Sequence, residues 1–305
     1  IKDKEFQNII KKAIEIKKNQ KKYSQSLKQK TLIMLFQKTS TRTRLSFEAG
    51  MTQLGGHAIF MDYRTTQIKI SDFFDEIRAI MKFGDVLMFR TLKHQNLVDA
   101  ASVNAIPVVN ALCEKYHPCQ ASADVMTMVE KCGGLNKIKG KRVVYFGIAN
   151  NVSNSLIMAC TKLGMSVTLC VPEKNPASHD PELEKIAKKS GLYEETNDVS
   201  CVKDADFAYT DTWIDMEFFD MMGNVVSEYK KEYERRKKAL MPFQLNKKLL
   251  DKYKSKAKIM HDMPIHPDYE ISRDAIDHKN SIIFDQAENR LHAQKAIMLW
   301  LMGKI

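Results

Sequence analysis

The fold is decided by the stretch Phe36-Gln-Lys-Thr-Ser-Thr-Arg-Thr-Arg-Leu-Ser-Phe47. The apolar run before it, residues 31–36, has the length of a strand, and residues 45–54 after it have the spacing of a helix. The segment 40–44 is therefore expected at a strand-to-helix turn, where backbone N–H groups have no partner within the helix.

This turn has the chemistry of an anion site. A phosphate placed there would meet the positive end of the helix dipole, the hydroxyls of Ser40, Thr41 and Thr43, and a guanidinium from Arg42 or Arg44. The same residues would also be expected for an ordinary helix cap followed by two surface arginines. The stretch alone leaves both interpretations open.

Length and composition describe a globular protein with two domains. The chain has 305 residues, 44% of them hydrophobic, and no apolar run long enough to cross a bilayer. Residues 1–22 form a Lys-rich amphipathic pattern rather than a secretory signal, which predicts a cytoplasmic location. The six cysteines show no paired metal spacing and are expected to be reduced thiols.

The net charge of +11 comes from lysines scattered along the chain. A nucleic-acid-binding protein would concentrate them in one stripe interleaved with aromatic residues, so no nucleic-acid partner and no membrane partner is expected. The positive charge fits an acidic small-molecule substrate.

Strand and helix patterns alternate along both halves of the chain. Strands are predicted at 31–36, 57–63, 86–90, 106–110, 142–146, 166–171, 207–209, 257–260 and 281–284. The alternation predicts an α/β protein with two doubly wound domains, each with a central parallel sheet flanked by helices. Gly133 and Gly134 mark the linker between them.

The second half lacks the glycine pattern of a dinucleotide site, because Gly147 is followed by Ile-Ala-Asn-Asn151. No cofactor is expected. Asp211 follows a predicted strand, and ligands of open α/β sheets bind outside the carboxyl ends of strands.

Hydrogen-bond donors follow the strands of the first half. Arg90 ends one strand, and His117 and Gln120 follow the next. A histidine before a proline is commonly a structural loop residue, yet a carbonyl held beside a phosphate needs such donors to polarise it.

These residues resemble a known family. The segments Ser40-Thr-Arg-Thr-Arg44, Arg90-Thr91 with His94, His117-Pro-Cys-Gln120 and Asp285-Gln-Ala-Glu-Asn-Arg-Leu-His292 are similar, in order, to motifs of the aspartate/ornithine carbamoyltransferases. Asp211-Thr-Trp213 resembles the ornithine branch. The aspartate branch would show His-Pro-Leu-Pro-Arg where this chain has His261-Asp-Met-Pro-Ile265.

The resemblance implies two domains: residues 1–132, completed by a C-terminal helix at 286–305, bind carbamoyl phosphate, and residues 133–285 bind ornithine or another amine. The implied carbamoyl phosphate ligands are Ser40, Thr41, Arg42, Thr43, Gln67, Arg90, His117, Gln120 and Arg290, with Gln67 serving a neighbouring subunit. The implied ornithine ligands are Asn151, Asp211, Asp215, Met216, Asp262 and Met263. The implied catalytic residues are Arg90, His117, Asp262 and Arg290.

The same resemblance implies an enzyme of arginine metabolism and amino-acid biosynthesis that uses no metal and assembles as a homotrimer or a multiple of trimers. Citrulline and phosphate would be its products.

The chain departs from the family on the acceptor side. Asp262 occupies the position of the family's cysteine in His-Cys-Leu-Pro, and Asp215 and Glu217 replace the Ser and Gly of Trp-x-Ser-Met-Gly. Extra acids could repel an α-carboxylate and favour a diamine such as putrescine over ornithine. A non-catalytic relative of the family is a third interpretation, although it has no need of a complete phosphate-side set.

Overall fold

A computed structural model describes residues 1–214, 218–220 and 223–305. The first half contains a four-stranded parallel sheet in the order β2-β1-β3-β4. Its strands are β1 (Thr31–Phe36), β2 (His57–Asp62), β3 (Val86–Arg90) and β4 (Val108–Leu112). The helices of this half are α1 (Asp3–Lys18), α2 (Gln20–Tyr23), α3 (Thr41–Gln53), α4 (Phe73–Met81), α5 (His94–Ser102) and α6 (Pro118–Cys132).

The second half contains a five-stranded parallel sheet in the order β7-β6-β5-β8-β9. Its strands are β5 (Arg142–Ala149), β6 (Ser166–Lys174), β7 (Tyr193–Thr196), β8 (Phe207–Thr210) and β9 (Lys258–His261). The helices are α7 (Asn151–Thr161), α8 (Pro181–Lys189), α9 (Lys230–Leu240), α10 (Lys247–Lys252), α11 (Arg273–Ile276) and α12 (Ile283–Leu301).

Both sheets are covered on both faces, as the apolar runs predict. In β1, Leu32 and Met34 pack into one buried cluster while Ile33 and Leu35 pack into another on the opposite face. Because successive side chains of a strand point to opposite faces, a continuous apolar run needs helices on both sides. The α/β class with two parallel sheets is therefore confirmed.

The last helix, α12, returns to the first half and packs against α1, α3 and α6. The strand expected at 281–284 was wrong: Ser281 forms a single bridge with Ile259, and the helix already begins at Ile283. A four-residue apolar run has too little periodicity to distinguish a strand from the first turn of a helix.

Two further elements differ from the sequence-based expectation. Helix α3 begins at Thr41 rather than at residue 45, because Ser40 caps it. The strand β7 was missed, because its residues Tyr-Glu-Glu-Thr are polar and lie half-exposed at the edge of the sheet.

The strand orders fix where a ligand can bind. The sequence order of strands reverses between β1 and β3 in the first sheet, and between β5 and β8 in the second. Connections diverge at these points and leave a crevice at the carboxyl ends of the strands. The 40–44 turn and Arg90 lie at the first crevice, and Asn150 and Asp211 lie at the second.

Candidate active site

A cleft of about 280 Å³ gathers residues from the carboxyl ends of both sheets. Its walls are formed by Thr39, Ser40, Thr41, Arg42, Thr43, Arg90, Leu112, His117, Asp211, Asp262, Met263, Pro264 and Arg290. Most of the residues that the sequence singled out for a phosphate and an amine therefore meet in one place.

The 40–44 turn provides the N-terminus of a helix to this cleft. The Ser40 hydroxyl accepts a hydrogen bond from the Thr43 backbone N–H at 3.3 Å, and donates one to the Thr43 hydroxyl oxygen at 3.0 Å. The turn is thus a helix cap and a wall of the cleft at once, so the two interpretations of its sequence do not exclude each other.

Two buried arginines converge on the Thr43 hydroxyl. Arg90 donates to its oxygen at 3.4 Å and Arg290 donates to it at 3.2 Å. The two residues are only 9% and 2% exposed, and each has a buried Nε without a hydrogen-bond partner. Burial lowers the pKa of Arg90 to about 10, and the charge of Arg290 acts in the same direction. An anion bound beside these two buried like charges would stabilise both of them.

Arg42 adds a third guanidinium to the same wall. Burial lowers the pKa of Arg42, and the charge of Asp262 opposes that shift. Arg44, in contrast, points away from the cleft: it pairs with Glu48 at 3.0 Å and lies over the ring of Phe60, 3.9 Å from its centroid. Of the two arginines in the turn, only Arg42 contributes to the site.

His117 is buried and lines the cleft with the arginines. Its backbone N–H donates to the Ser155 hydroxyl at 2.7 Å, and its Nδ1 has no hydrogen-bond partner. Burial, together with the charge of Arg290, holds the pKa of His117 well below its usual range. The imidazole is therefore neutral at neutral pH, and can donate a hydrogen bond to a carbonyl without titrating.

Gln120 lies one turn further into α6 and supports Arg290. Its side-chain oxygen accepts a hydrogen bond from Arg290, and its amide nitrogen donates to Asp124 at 2.8 Å. Asp124 carried no signal in the sequence, because a lone acid in an apolar helix matches no motif.

Two carboxyl groups also line the cleft. Asp211 follows β8 and accepts a hydrogen bond from the Asn150 side chain at 2.7 Å. Asp262 follows β9, and its Oδ1 lies 3.9 Å from Nη1 of Arg290. Burial raises the pKa of Asp211 to about 7, with the charge of Asp262 acting in the same direction. Burial raises the pKa of Asp262 as well, against the charge of Arg290.

The loop after Asp262 is held by a buried histidine and glutamate. The Met263 backbone N–H donates to Nδ1 of His261 at 2.7 Å, so the proton of this ring is on Nε2, which faces Glu270 at 3.1 Å. The Met263–Pro264 peptide is cis, and both residues line the cleft. His261 and Glu270 thus position Asp262 and Met263, and no sequence motif pointed to Glu270.

Some expected site residues lie elsewhere. The Asn151 side chain donates to the Cys113 carbonyl at 2.8 Å and does not line the cleft, whereas its neighbour Asn150 reaches Asp211. Gln67 is exposed in a short helix outside the cleft. Asp215, Met216 and Glu217 lie outside the described residues.

Within the described ranges, no group of three or more His, Cys, Asp or Glu side chains is arranged to hold a metal ion. The same ranges contain no helix with the length and apolarity needed to span a bilayer.

Two family models match the chain in sequence order. Residues 1–130 match the model described as "Aspartate/ornithine carbamoyltransferase, carbamoyl-P binding domain". Residues 139–301 match the model described as "Aspartate/ornithine carbamoyltransferase, Asp/Orn binding domain".

Individual relatives agree with the models. The ornithine carbamoyltransferase of Thermococcus kodakarensis is 42% identical over 286 residues, covering 92% of this chain and 86% of the relative. The solved ornithine carbamoyltransferase of Pyrococcus furiosus is 39% identical with a TM-score of 0.88, covering 100% of this chain and 95% of that one. The Thermus thermophilus structure is 32% identical with a TM-score of 0.82, covering 99% and 96%.

Proposed function

The chain belongs to the aspartate/ornithine carbamoyltransferase family, and on that premise we propose that it transfers the carbamoyl group of carbamoyl phosphate to the δ-amine of L-ornithine. The products are citrulline and phosphate. One observation carries the proposal: the guanidinium groups of Arg42, Arg90 and Arg290 and the carboxyl groups of Asp211 and Asp262 line the same cleft. The guanidinium groups suit a phosphate and the carboxyl groups suit an amine.

On the donor side, Ser40, Thr41, Arg42 and Thr43 bind the phosphate at the N-terminus of α3. Arg90 and Arg290 bind phosphate and carbonyl oxygens, and His117 donates to the carbonyl. Gln120 holds Arg290 in place. The support for these roles is the shared cleft and the unused donors of the two buried arginines.

On the acceptor side, Asp211, Asp262 and Met263 bind the amine, with Asn151, Asp215 and Met216 assigned by family resemblance alone. Since burial raises the pKa of Asp211 to about 7, this wall accepts a proton near neutral pH more readily than an exposed carboxylate would.

The reaction follows from this arrangement. The neutral amine attacks the carbonyl carbon, and the negative charge that develops on the carbonyl oxygen is stabilised by Arg90, His117 and Arg290. The bond between carbon and the phosphate oxygen then breaks and phosphate leaves with its electron pair. The proton released by the amine passes to Asp262. Removing one such oxyanion donor typically costs about 100- to 1000-fold in turnover.

We also propose the domain division from the sequence: residues 1–132 with 286–305 for carbamoyl phosphate, and 133–285 for the amine. The packing of α12 against α1, α3 and α6 supports it. A cytoplasmic location in arginine metabolism fits the cysteines, all of which are unpaired.

We propose a homotrimer in which Gln67 completes the site of a neighbouring subunit. Gln67 is exposed and does not reach the cleft of its own chain. Ile70 is 86% exposed, and Leu45 on the outer face of α3 is 63% exposed. A contact between subunits on this side of the molecule would bury these two side chains.

The test is a panel of acceptors. Purified protein is given carbamoyl phosphate with ornithine, putrescine, lysine or aspartate, and the products are separated. Formation of citrulline supports the proposal. Formation of a carbamoylated diamine instead would identify putrescine, not ornithine, as the acceptor. No product with any amine would leave the non-catalytic interpretation. Changing Arg42 to Ala should abolish carbamoyl phosphate binding in calorimetry.

A further inference from the structure

Asp124 is a fully buried carboxyl group in α6 that the reaction itself does not use. Three donors from three elements reach it: Nε2 of Gln120 at 2.8 Å, Nε2 of Gln286 at 2.7 Å and the hydroxyl of Tyr209 at 3.2 Å. We propose that Asp124 is a positioning residue for carbamoyl transfer, which fixes the amide of Gln120 and through it the guanidinium of Arg290. The inference rests on the proposed function.

The first step is the orientation of Gln120. A side-chain amide has a donor end and an acceptor end, and its two orientations are equal in shape. Because the nitrogen of Gln120 donates to Oδ1 of Asp124, its oxygen must face Arg290, from which it accepts a hydrogen bond. Without an acceptor at position 124 the amide can turn over and present its N–H₂ group to a guanidinium, which cannot accept a hydrogen bond.

The same oxygen of Asp124 orients a second amide. Gln286 donates its nitrogen to Oδ1 of Asp124, so that its oxygen accepts from the backbone N–H of His261 at 2.9 Å. His261 directly precedes Asp262. One carboxyl oxygen therefore sets the direction of two glutamines, one on the phosphate side of the cleft and one on the amine side.

The third contact joins the two halves of the chain. Tyr209 lies in β8, two residues before Asp211, while Asp124 lies in a helix of the first half. Buried hydrogen-bond networks of this kind hold side chains in single orientations because an unpaired member costs free energy. Asp124 thus links the wall that binds phosphate to the wall that binds the amine.

The experiment is a double-mutant cycle on the full chain, with the variants Asp124→Ala, Gln120→Ala and both together. If Asp124 acts through Gln120, Asp124→Ala lowers kcat/KM for carbamoyl phosphate by about tenfold or more, and the loss in the double variant is smaller than the product of the two single losses. If the two single losses in kcat/KM multiply in the double variant, Asp124 and Gln120 act independently and the proposal is overturned.

A conservative variant tests whether a hydrogen-bond acceptor at position 124 is sufficient. In Asp124→Asn the side-chain oxygen can still accept from both glutamines, and its nitrogen can donate to the Tyr209 oxygen. We expect kcat/KM within about threefold of the unchanged chain, since the orientation of both amides survives. A loss as large as that of Asp124→Ala would overturn the proposal.

Thr127→Ala is the matched control for helix packing. Thr127 is buried in the same helix, and its hydroxyl oxygen accepts from the Asn289 side chain in α12 at 2.9 Å. It does not contact Gln120. This variant should lower the melting temperature but leave kcat/KM unchanged. An equal loss of activity in Thr127→Ala and Asp124→Ala would reduce Asp124 to a packing role.

The double-mutant cycle is repeated with phosphate binding as the readout. This distinguishes a failure of the positioning role of Asp124 from a failure of the proposed function. Dissociation constants for inorganic phosphate, obtained by calorimetry, report the position of Arg290 without turnover. If the unchanged chain binds phosphate but forms no carbamoylated product, the proposed function fails. The coupling between Asp124 and Gln120 in phosphate binding then still decides the positioning role.

Discussion

Arg290 donates a hydrogen bond to the hydroxyl oxygen of Thr43 at 3.2 Å, although 247 positions separate them in sequence. The contact joins the last helix to the first turn of α3, and so places a guanidinium from the end of the chain over the N-terminus of a helix near its beginning. Arg90 approaches the same oxygen. An anion in the cleft therefore meets donors from three separate parts of the chain.

Changing Thr43 to Val should weaken binding of carbamoyl phosphate by about tenfold, equivalent to ~1.4 kcal/mol. Valine keeps the shape of threonine but removes the oxygen that Arg90 and Arg290 share, so both guanidiniums lose their common anchor. Calorimetry with carbamoyl phosphate measures the change.

Thr52→Val provides the control, since Thr52 is exposed near the end of the same helix. Affinity should not change there. Equal losses in the two variants would mean that the effect is on the helix and not on the anion site.

Changing Asp211 to Asn should flatten the dependence of stability on pH. The pKa of Asp211 is raised from 3.8 to about 7, so between these values the folded state holds a proton that the unfolded state has released. Stability from this group is therefore present at low pH and lost as pH rises through about 7. The variant should unfold at a higher temperature than the unchanged chain at about pH 8, and at a similar temperature at about pH 4.

Asp75→Asn is the matched exposed change, because the Asp75 side chain is 74% exposed. Its unfolding curves should follow those of the unchanged chain at every pH. If Asp211→Asn were the less stable variant at about pH 8, the ionised carboxylate would have to be stabilising, contrary to the sign given above.

Changing Gly147 to Ala should displace the acceptor side of the cleft. Gly147 has φ +112°, and a Cβ there would lie 2.2 Å from Nε1 of Trp213, two residues after Asp211. We expect a loss of at least about 2 kcal/mol in unfolding free energy, from the clash and the backbone conformation together. The KM for the amine should also rise.

Gly191 separates these two causes. Its φ is +69°, but a Cβ there meets no described atom within 4 Å. Gly191→Ala should cost about 1 kcal/mol through its backbone alone and leave KM unchanged. If Gly147→Ala behaved in the same way, the contact with Trp213 would have no effect on the site.

If each active site contains residues from two subunits, two different inactive variants should complement each other when mixed. Gln67→Ala and Arg90→Ala should each be nearly inactive, but subunits mixed and reassembled contain sites with Arg90 from one chain and Gln67 from its neighbour. Random mixing in equal amounts should restore about one quarter of the activity. The assay is citrulline formation before and after reassembly.

Arg42→Ala mixed with Arg90→Ala is the control, since both residues line the cleft of one chain. That mixture should stay inactive. Failure of the first mixture to recover would argue that Gln67 does not serve a neighbouring site.

The sequence by itself determined the α/β class and the strand-to-helix turn at 40–44. Apolar runs of strand length followed by helical spacing fix local backbone structure, and a Ser/Thr-rich turn with an arginine predicts a helix cap and a candidate anion site within these five residues. Such features depend on neighbours in sequence, and so they can be read from the sequence.

Only the tertiary structure decided which side chains meet. Asn150 and Asn151 are identical in type and adjacent, yet the first caps α7 and reaches Asp211 while the second bonds to the Cys113 carbonyl. The residue at which α7 begins determines which of the two asparagines reaches Asp211. Short apolar runs do not predict such helix starts accurately, as the start of α12 at Ile283 shows. The contacts of Asp124 with Gln286 and Tyr209 depend on the packing of distant elements, which no local pattern encodes.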